Sequence, residues 1–409
     1  MQNPSKQALS PRRGKIRPAS TSQSPKAALS ENAQACFFLI LTAALYLFSG
    51  HLADRIRTAL SVCAFSLIPS VFPFMVMTAV LCDGKAGRWI ARALHPLLQL
   101  LFGVSDAGAF VVAMGWMGGF PSGALCAVRL YEKGALDASE LSRLLCFVNN
   151  PSPAFVIRAL GGALFSSLPL GRRIYFCVVL SSAMAGLLSR FLFPLFSPST
   201  APEALTQSTQ KTAPAAAHFP LSASAPASSV FVSLSGALTR SAGAMLNVCA
   251  SVVFFSAFGE CLLTMGRQIM AWRPFQRPDW ITVLVSGFIE ISGGCASAAL
   301  LSDRELGALC ACAICSFSGM AVFMQICTTC QAVPGVSFRP YWVSKIFQAC
   351  LSPSLLILWL RLQPLEIPPV AALPTGSGFL PSPERIFAIA ISAFFCLCLL
   401  VTHRAKPSP

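Results

Sequence analysis

Residues 306–338 run for 33 positions without a charged side chain. An α-helix rises 1.5 Å per residue, so about 20 apolar residues cross the hydrocarbon core of a bilayer. No soluble fold exposes or buries such a stretch as one unit, and it is not isolated. Uncharged runs also cover residues 32–53, 58–82, 107–128, 241–259, 346–360 and 386–402. Residues 174–196 are broken only by Arg190 and residues 280–302 only by Glu290. The runs are continuous rather than alternating, which excludes a transmembrane barrel. The chain reads as an all-α, polytopic membrane protein with about eight to ten embedded segments, its first obligatory partner being the lipid bilayer.

Charge supports this reading and orients it. Only 11% of the 409 residues are charged, against roughly 25% in soluble chains. The surplus of 30 Lys and Arg over 15 Asp and Glu, a net +15, could suit a nucleic-acid binder. Such a protein would display its bases on a polar surface that is missing here, so no nucleic-acid partner is expected. Six bases (Lys6, Arg12, Arg13, Lys15, Arg17, Lys26) fall in the first 30 positions. Residues 1–32 read as a disordered basic tail that holds the N-terminus in the cytoplasm. They do not read as a cleaved signal peptide, because the apolar run lies behind a long basic region. Residues 197–229 turn to Ser, Pro and Ala as a polar linker, and 367–409 read as a loop and a last transmembrane helix. Residues 88–102 alternate bases with apolar side chains, as an interfacial helix does.

The informative places are breakers inside apolar runs. In 107–128 the centre reads Gly115-Trp116-Met117-Gly118-Gly119-Phe120-Pro121-Ser122-Gly123. Proline removes a donor and clashes with the preceding turn, so this run is expected to be a discontinuous helix. Glycines 115, 119 and 123 alone would favour close helix packing; Pro121 and Ser122 turn the balance. A second break, Asn149-Asn150-Pro151-Ser152-Pro153, divides a stretch too short to span. It reads as the tip of a re-entrant hairpin, with 141–148 entering and 154–165 leaving. The 306–338 run is too long for one upright span and is interrupted at Ser316-Phe317-Ser318-Gly319, so a hairpin is expected there too. Irregular backbone at such depth is tolerated only against protein or a watery cavity.

The breaks recur. Glu140-Leu141 and Glu305-Leu306 each precede a polar break, and Gly118-Gly119 and Gly293-Gly294 lie upstream of small-residue runs. Paired interrupted segments point to a transporter's mid-membrane site. Two pseudo-repeated halves, 33–196 and 230–366, are expected, each containing broken helices or re-entrant hairpins.

Chemistry of other kinds finds no footing. The sequence holds no HExxH, GxSxG or P-loop pattern and no paired carboxylates inside the runs, so an enzyme is not expected. Cys310, Cys312, Cys315, Cys327 and Cys330 include one CxxC pair, but in an uncharged stretch without His they read as structural thiols. No metal and no cofactor are expected. Ser122, Asn149, Asn150, Ser152, Ser318 and Gln325 offer neutral polar contacts to a small solute. Glu290, an intramembrane carboxylate, is a functional candidate by cost alone. Arg158 and Lys345 could supply charge or snorkel to the interface. Helix N-termini at the breaks favour an anionic solute. A coupling ion and the oligomeric state stay open.

Several motifs together resemble one family. Gly119-Phe-Pro-Ser-Gly-Ala124, Glu140-Leu-Ser-Arg-Leu-Leu-Cys-Phe147, Asn149-Asn-Pro-Ser-Pro-Ala-Phe155, Ser316-Phe-Ser-Gly319 and Arg339-Pro-Tyr-Trp342 are similar to sporulation integral membrane proteins of the YlbJ family. Ile68-Pro-Ser-Val-Phe-Pro-Phe74 fits that family's opening helix. The resemblance covers roughly residues 36–362. It implies a nucleoside-recognition Gate domain, shared with concentrative nucleoside transporters and spore maturation proteins. It also implies transport of dipicolinic acid from the mother cell across the outer forespore membrane. A nucleoside or other small-solute transporter of the Gate class, or a non-transporting spore-assembly membrane protein, remains the alternative.

Overall fold

The computed structural model describes residues 25–47, 49–196, 230–270 and 279–369. The expectations for residues 1–24, for the linker and for a helix within 370–409 lie outside the described residues. Two compact units divide the chain at Ser49. The first contains α1, Pro25–Leu47. It starts inside the segment read as a disordered tail.

The second unit, from Gly50, takes in nearly all of α2, Ser49–Val62, which passes through a π-helical turn, Cys63–Leu67, into α3, Ile68–Asp83. The wide turn has a cause. Pro69 cannot donate, and its ring crowds the turn before it; Ile68 N–H reaches back to Cys63 O instead. Next comes α4, Lys85–Phe102, which ends on a left-handed Gly103 and bends by 92° into α5, Asp106–Gly118. The last carbonyls of α4 and Gly103 are capped by cations: Arg190 donates to Leu100 O (2.7 Å), and Arg143 to Phe102 O (2.5 Å) and Gly103 O (2.7 Å). Then follow α6, Ser122–Glu132; α7, Ala138–Val148; a π-helical segment, Ala154–Leu164; and α8, Leu168–Phe196.

The later half repeats the pattern. A long α9, Val230–Met270, leads to α10, Asp279–Ile289, and α11, Ile291–Ala298. They are followed by α12, Arg304–Phe317; α13, Gly319–Cys330; and α14, Arg339–Leu362. Matching aspartates start the corresponding helices. Asp137 caps α7 by accepting from Glu140 N–H (2.7 Å), and Asp303 caps α12 by accepting from Leu306 N–H (3.0 Å). All described elements are helical, and the two pseudo-repeated halves are each built on a hairpin and a broken helix.

The hairpins are not where the sequence placed them. Helices α5 and α6 fold back on each other, and so do α10 and α11. A Cβ at Gly123 would sit 3.1 Å from Gly115 Cα, and one at Gly294 only 2.2 Å from Gly287 Cα. These glycines let the arms touch backbone to backbone, so residues 280–302 are a hairpin and not a span. Conversely, the segments on either side of Asn149–Pro153 pack on other helices rather than on one another. Arg304–Cys330 forms one span-length unit kinked at Ser318. The Ser316–Gly319 break, expected to be a hairpin tip, therefore kinks a span-length helix. Among the described residues, Leu52–Asp83, Leu168–Leu192, Val232–Gly266, Arg304–Cys330 and Arg339–Leu362 are long and apolar enough to cross a membrane.

Hairpin α5–α6 packs on α7, and hairpin α10–α11 on α12. The two unbroken helices α8 and α14 each touch both α7 and α12. This places both breaks at the centre of the second unit.

Candidate functional site

A helix that stops inside a membrane leaves its last carbonyls without partners. At the end of α7 the carbonyls of Leu145, Cys146 and Phe147 find them. Leu145 O accepts from Asn149 Nδ2 (3.2 Å). Cys146 O accepts from Gln348 Nε2 (2.8 Å) and Ser344 Oγ (2.6 Å). Phe147 O accepts from Trp116 Nε1 (3.0 Å), Ser182 Oγ (2.5 Å) and Asn150 Nδ2 (3.2 Å). Asn149 and Asn150 are thus helix-end caps, both fully buried, with only their Oδ1 atoms unpartnered.

Lys345 completes the accounting and joins the halves. Fully buried on α14, its ammonium donates to Asn149 O (2.6 Å), to Ser316 O (3.4 Å) near the end of α12, and to Gln348 Oε1 (3.3 Å). A cation at two helix C-termini meets the negative ends of both dipoles. One side chain therefore brings the two breaks together. Ser318 is fully buried in a left-handed turn (φ 79°), and its hydroxyl lies 3.5 Å from Ser316 O. Glu290 is buried at the tip of the second hairpin, where its carboxylate caps α11. It accepts from Ser292 N–H (2.8 Å), Ser292 Oγ (2.5 Å) and Gly293 N–H (2.7 Å). An anion at a helix N-terminus is the favourable end of the dipole, and this explains how a carboxylate is held there.

Beside these locked breaks lies open space. A cavity of about 250 Å³ is lined by Thr78, Cys82, Ser122, Arg129, Arg240, Ser241 and Thr329, among others. It shares Leu125, Ala244 and Thr329 with a second cavity of about 150 Å³ that adds Pro121, Asn247, Gln325 and Thr328. That one shares Val248 and Gln325 with a third, about 30 Å³, walled by Phe120, Pro151, Ser152, Ile291 and Ser292. The row runs from a charged rim to the point where both hairpin tips and the α7 break meet. Gly119, at φ 76°, makes that meeting possible, since a Cβ there would lie 2.6 Å from Ser152 N. Two buried polar atoms beside the row have no partner: Ser122 Oγ and Gln325 Oε1.

Of the residues singled out in the sequence, Ser122, Ser152 and Gln325 line this row. Asn149, Asn150, Glu290, Ser318 and Lys345 stand behind it as caps and kinks and do not line these cavities. Arg158 is exposed on the π-helical segment, apart from the row. Sequence reasoning passed over Asn247, Arg129 and Arg240. Asn247 had a readable signal, being the only carboxamide in the 241–259 run. The two arginines bound uncharged runs, so they looked like orientation charges.

No family model matches the chain. Over 351 residues it is 27% identical to the sporulation integral membrane protein YlbJ of Bacillus subtilis (strain 168), covering 80% of this chain and 82% of that protein. The chain is thus similar along most of its length to a sporulation membrane protein. Among solved structures, a doubly substituted CNTnw in an outward-facing state aligns at a TM-score of 0.50 and 16% identity, covering 84% of this chain and 88% of that one. CNTnw in an inward-facing substrate-bound state gives 0.46 at 14% identity, with 84% and 88% covered. The outward-facing match shows the fold: this integral membrane protein has a transporter-like helical architecture.

Proposed function

We propose that this chain carries a small carboxylate, dipicolinic acid, from the mother cell into the forespore during sporulation. It would act in the outer forespore membrane with its N-terminus in the cytoplasm. The observation that carries this reading is the row of three cavities joining a rim with Arg129 and Arg240 to the tips of both hairpins. Dipicolinate is a small, flat dianion. Hydroxyls of Thr78, Ser122, Ser241 and Thr329, followed by the carboxamides of Asn247 and Gln325, offer hydrogen bonds along its route without the cost of a buried charge. Ser122 Oγ is buried with no partner of its own and can donate to a carboxylate, and a buried polar atom without a partner invites a ligand that supplies one. The similarity to a sporulation membrane protein supports the setting.

The test is uptake of labelled dipicolinate into proteoliposomes holding the purified protein. Wild type is expected to fill the vesicles, and Gln325→Leu to slow uptake about tenfold, the loss of roughly one charge-assisted hydrogen bond. Wild-type vesicles that fill no faster than protein-free ones would overturn the proposal. Imposed sodium or proton gradients in the same vesicles identify any coupling ion.

A further inference from the structure

The charged rim of the 250 Å³ cavity holds one carboxylate among three cations. Asp83 ends α3, Arg129 and Lys133 lie at the end of α6, and Arg240 projects from α9. Arg129 grips both oxygens of the Asp83 carboxylate. Lys133 donates to Asp83 Oδ1 (2.5 Å) and to Cys82 O (2.9 Å). The carboxylate is therefore already saturated by two cations. Arg240 approaches it only to 3.5 Å, an ion pair beyond hydrogen-bond length, and its side chain is 51% exposed. A guanidinium has five donors in a fixed fork that matches a carboxylate, and Arg240 has most of them uncommitted. Glu132 is the other acid on this rim. Three cations face two carboxylates, so an arriving anion meets a favourable field.

We propose that Arg240, with Arg129 behind it, forms an access subsite for dicarboxylates, in which one carboxylate of the solute takes the Arg240 fork in place of Asp83. The proposal rests on the transport reading for its role and on the rim geometry for its location. Three cations on one internal carboxylate make a resident stand-in for the solute. While no anion is present Asp83 keeps the guanidinium at the rim, and an arriving carboxylate competes for it with better geometry. Ser241, the next residue on α9, and the unpartnered Ser122 Oγ are inside the same cavity. They provide the next hydrogen bonds once the solute has left the fork. Charge at a rim acts mainly on capture and on its salt dependence, so the subsite sets KM rather than the turnover rate.

Two measurements test it. In proteoliposomes, Arg240→Gln should raise KM for dipicolinate about tenfold at low salt, leave the maximal rate unchanged and flatten the dependence on ionic strength. Arg240→Lys should recover part of the loss, which separates lost charge from misfolding. An unchanged KM in Arg240→Gln would overturn the subsite. Independently, phenylglyoxal modification of Arg240, read by mass spectrometry in the wild-type protein, should be slowed by dipicolinate or phthalate and unaffected by neutral benzamide. If wild type moves no dipicolinate yet dicarboxylates still protect Arg240, the transport reading fails and the subsite stands. If no dicarboxylate protects Arg240, the subsite is overturned even where uptake is normal.

Discussion

Replacing Lys345 by methionine removes the one donor shared by both broken helices. Methionine is of similar length and apolar, so packing is nearly kept and the change isolates the ammonium. Three acceptors lose a partner: Asn149 O at 2.6 Å, Gln348 Oε1 at 3.3 Å and Ser316 O at 3.4 Å. A buried acceptor left unsatisfied costs about 1–3 kcal/mol; only the first of these contacts is short, so the gross loss is about 4–6 kcal/mol. Against it stands the desolvation of a buried cation, which the wild type bears and the variant does not, an offset of several kcal/mol. No acid is left unpaired, unlike a broken salt bridge. The net expectation is a destabilisation of about 1–3 kcal/mol. At about 2 cal/mol/K of unfolding entropy per residue over roughly 300 ordered residues, that lowers the midpoint by roughly 2–5 °C. Tryptophan fluorescence melts of detergent-purified protein measure it. Hydrogen exchange should locate the loss of protection at residues 145–153 and 312–319. A Lys345→Met protein that melts at or above the wild-type temperature would show that desolvation outweighs the clamp, and the account of how the breaks are held would be wrong.

Other expectations follow from the same geometry. Gly294→Ala places a methyl 2.2 Å from Gly287 Cα, a backbone clash that no side chain can relieve. It should abolish well-folded protein in size-exclusion profiles, whereas Gly243→Ala, with open space around its Cβ, should behave as wild type. Glu290→Ala removes the cap of α11 and should cost about 1–2 kcal/mol in a thermal melt, with Glu290→Gln losing less because an acceptor oxygen remains. The thiols of Cys82 and Cys126 face each other at 3.3 Å between α3 and α6. Copper–phenanthroline should crosslink them in wild type and not in Cys126→Ser; equal mobility of the two on non-reducing gels after proteolysis between the helices would contradict the packing of the first hairpin on α3.

The positions of the breaks were legible because their causes are local. Proline lacks a donor and glycine lacks a Cβ wherever they stand, so Pro121, Asn149–Pro153 and Ser316–Gly319 announced themselves inside apolar runs. Whether a break is a hairpin tip or a kink in a through-going helix is not local. Each kind is two apolar arms of about ten residues around a polar turn. What separates them is whether the arms can touch, and the signal was present in glycines three or four residues either side of the tip. Gly115 and Gly123 flank Gly119, and Gly287 and Gly294 flank Glu290. Read as a helical stripe, that spacing pointed to packing between helices instead. Lys345 was hidden for a related reason. A base near the start of an apolar helix looks like a snorkelling anchor, and only the fold shows it beside two carbonyl ends that lie 196 and 29 residues away.

The distribution of hydrogen bonds also indicates which surfaces can part. Helices α7, α8, α12 and α14 are tied together by Lys345, Gln348, Ser344, Ser182 and the Ser316–Ser352 pair (2.7 Å), so separating any of them orphans buried carbonyls. Along the cavity row the contacts are of another kind. The walls contributed by α3, α6, α9 and α13 meet through apolar side chains, open space and one solvent-accessible ion cluster at Asp83. Exposed ion pairs are worth about 1 kcal/mol or less each, and apolar faces can slide without leaving a polar group unpaired. On the transport reading proposed above, a solute passing along the row would meet its lowest resistance in displacing α3 and α9 from the hairpin tips, with the four bonded helices staying fixed. Hydrogen exchange should accordingly be faster at the facing ends of α3, α6 and α9 than in α12 and α14. Slower exchange there than in the bonded core would place the moving boundary elsewhere.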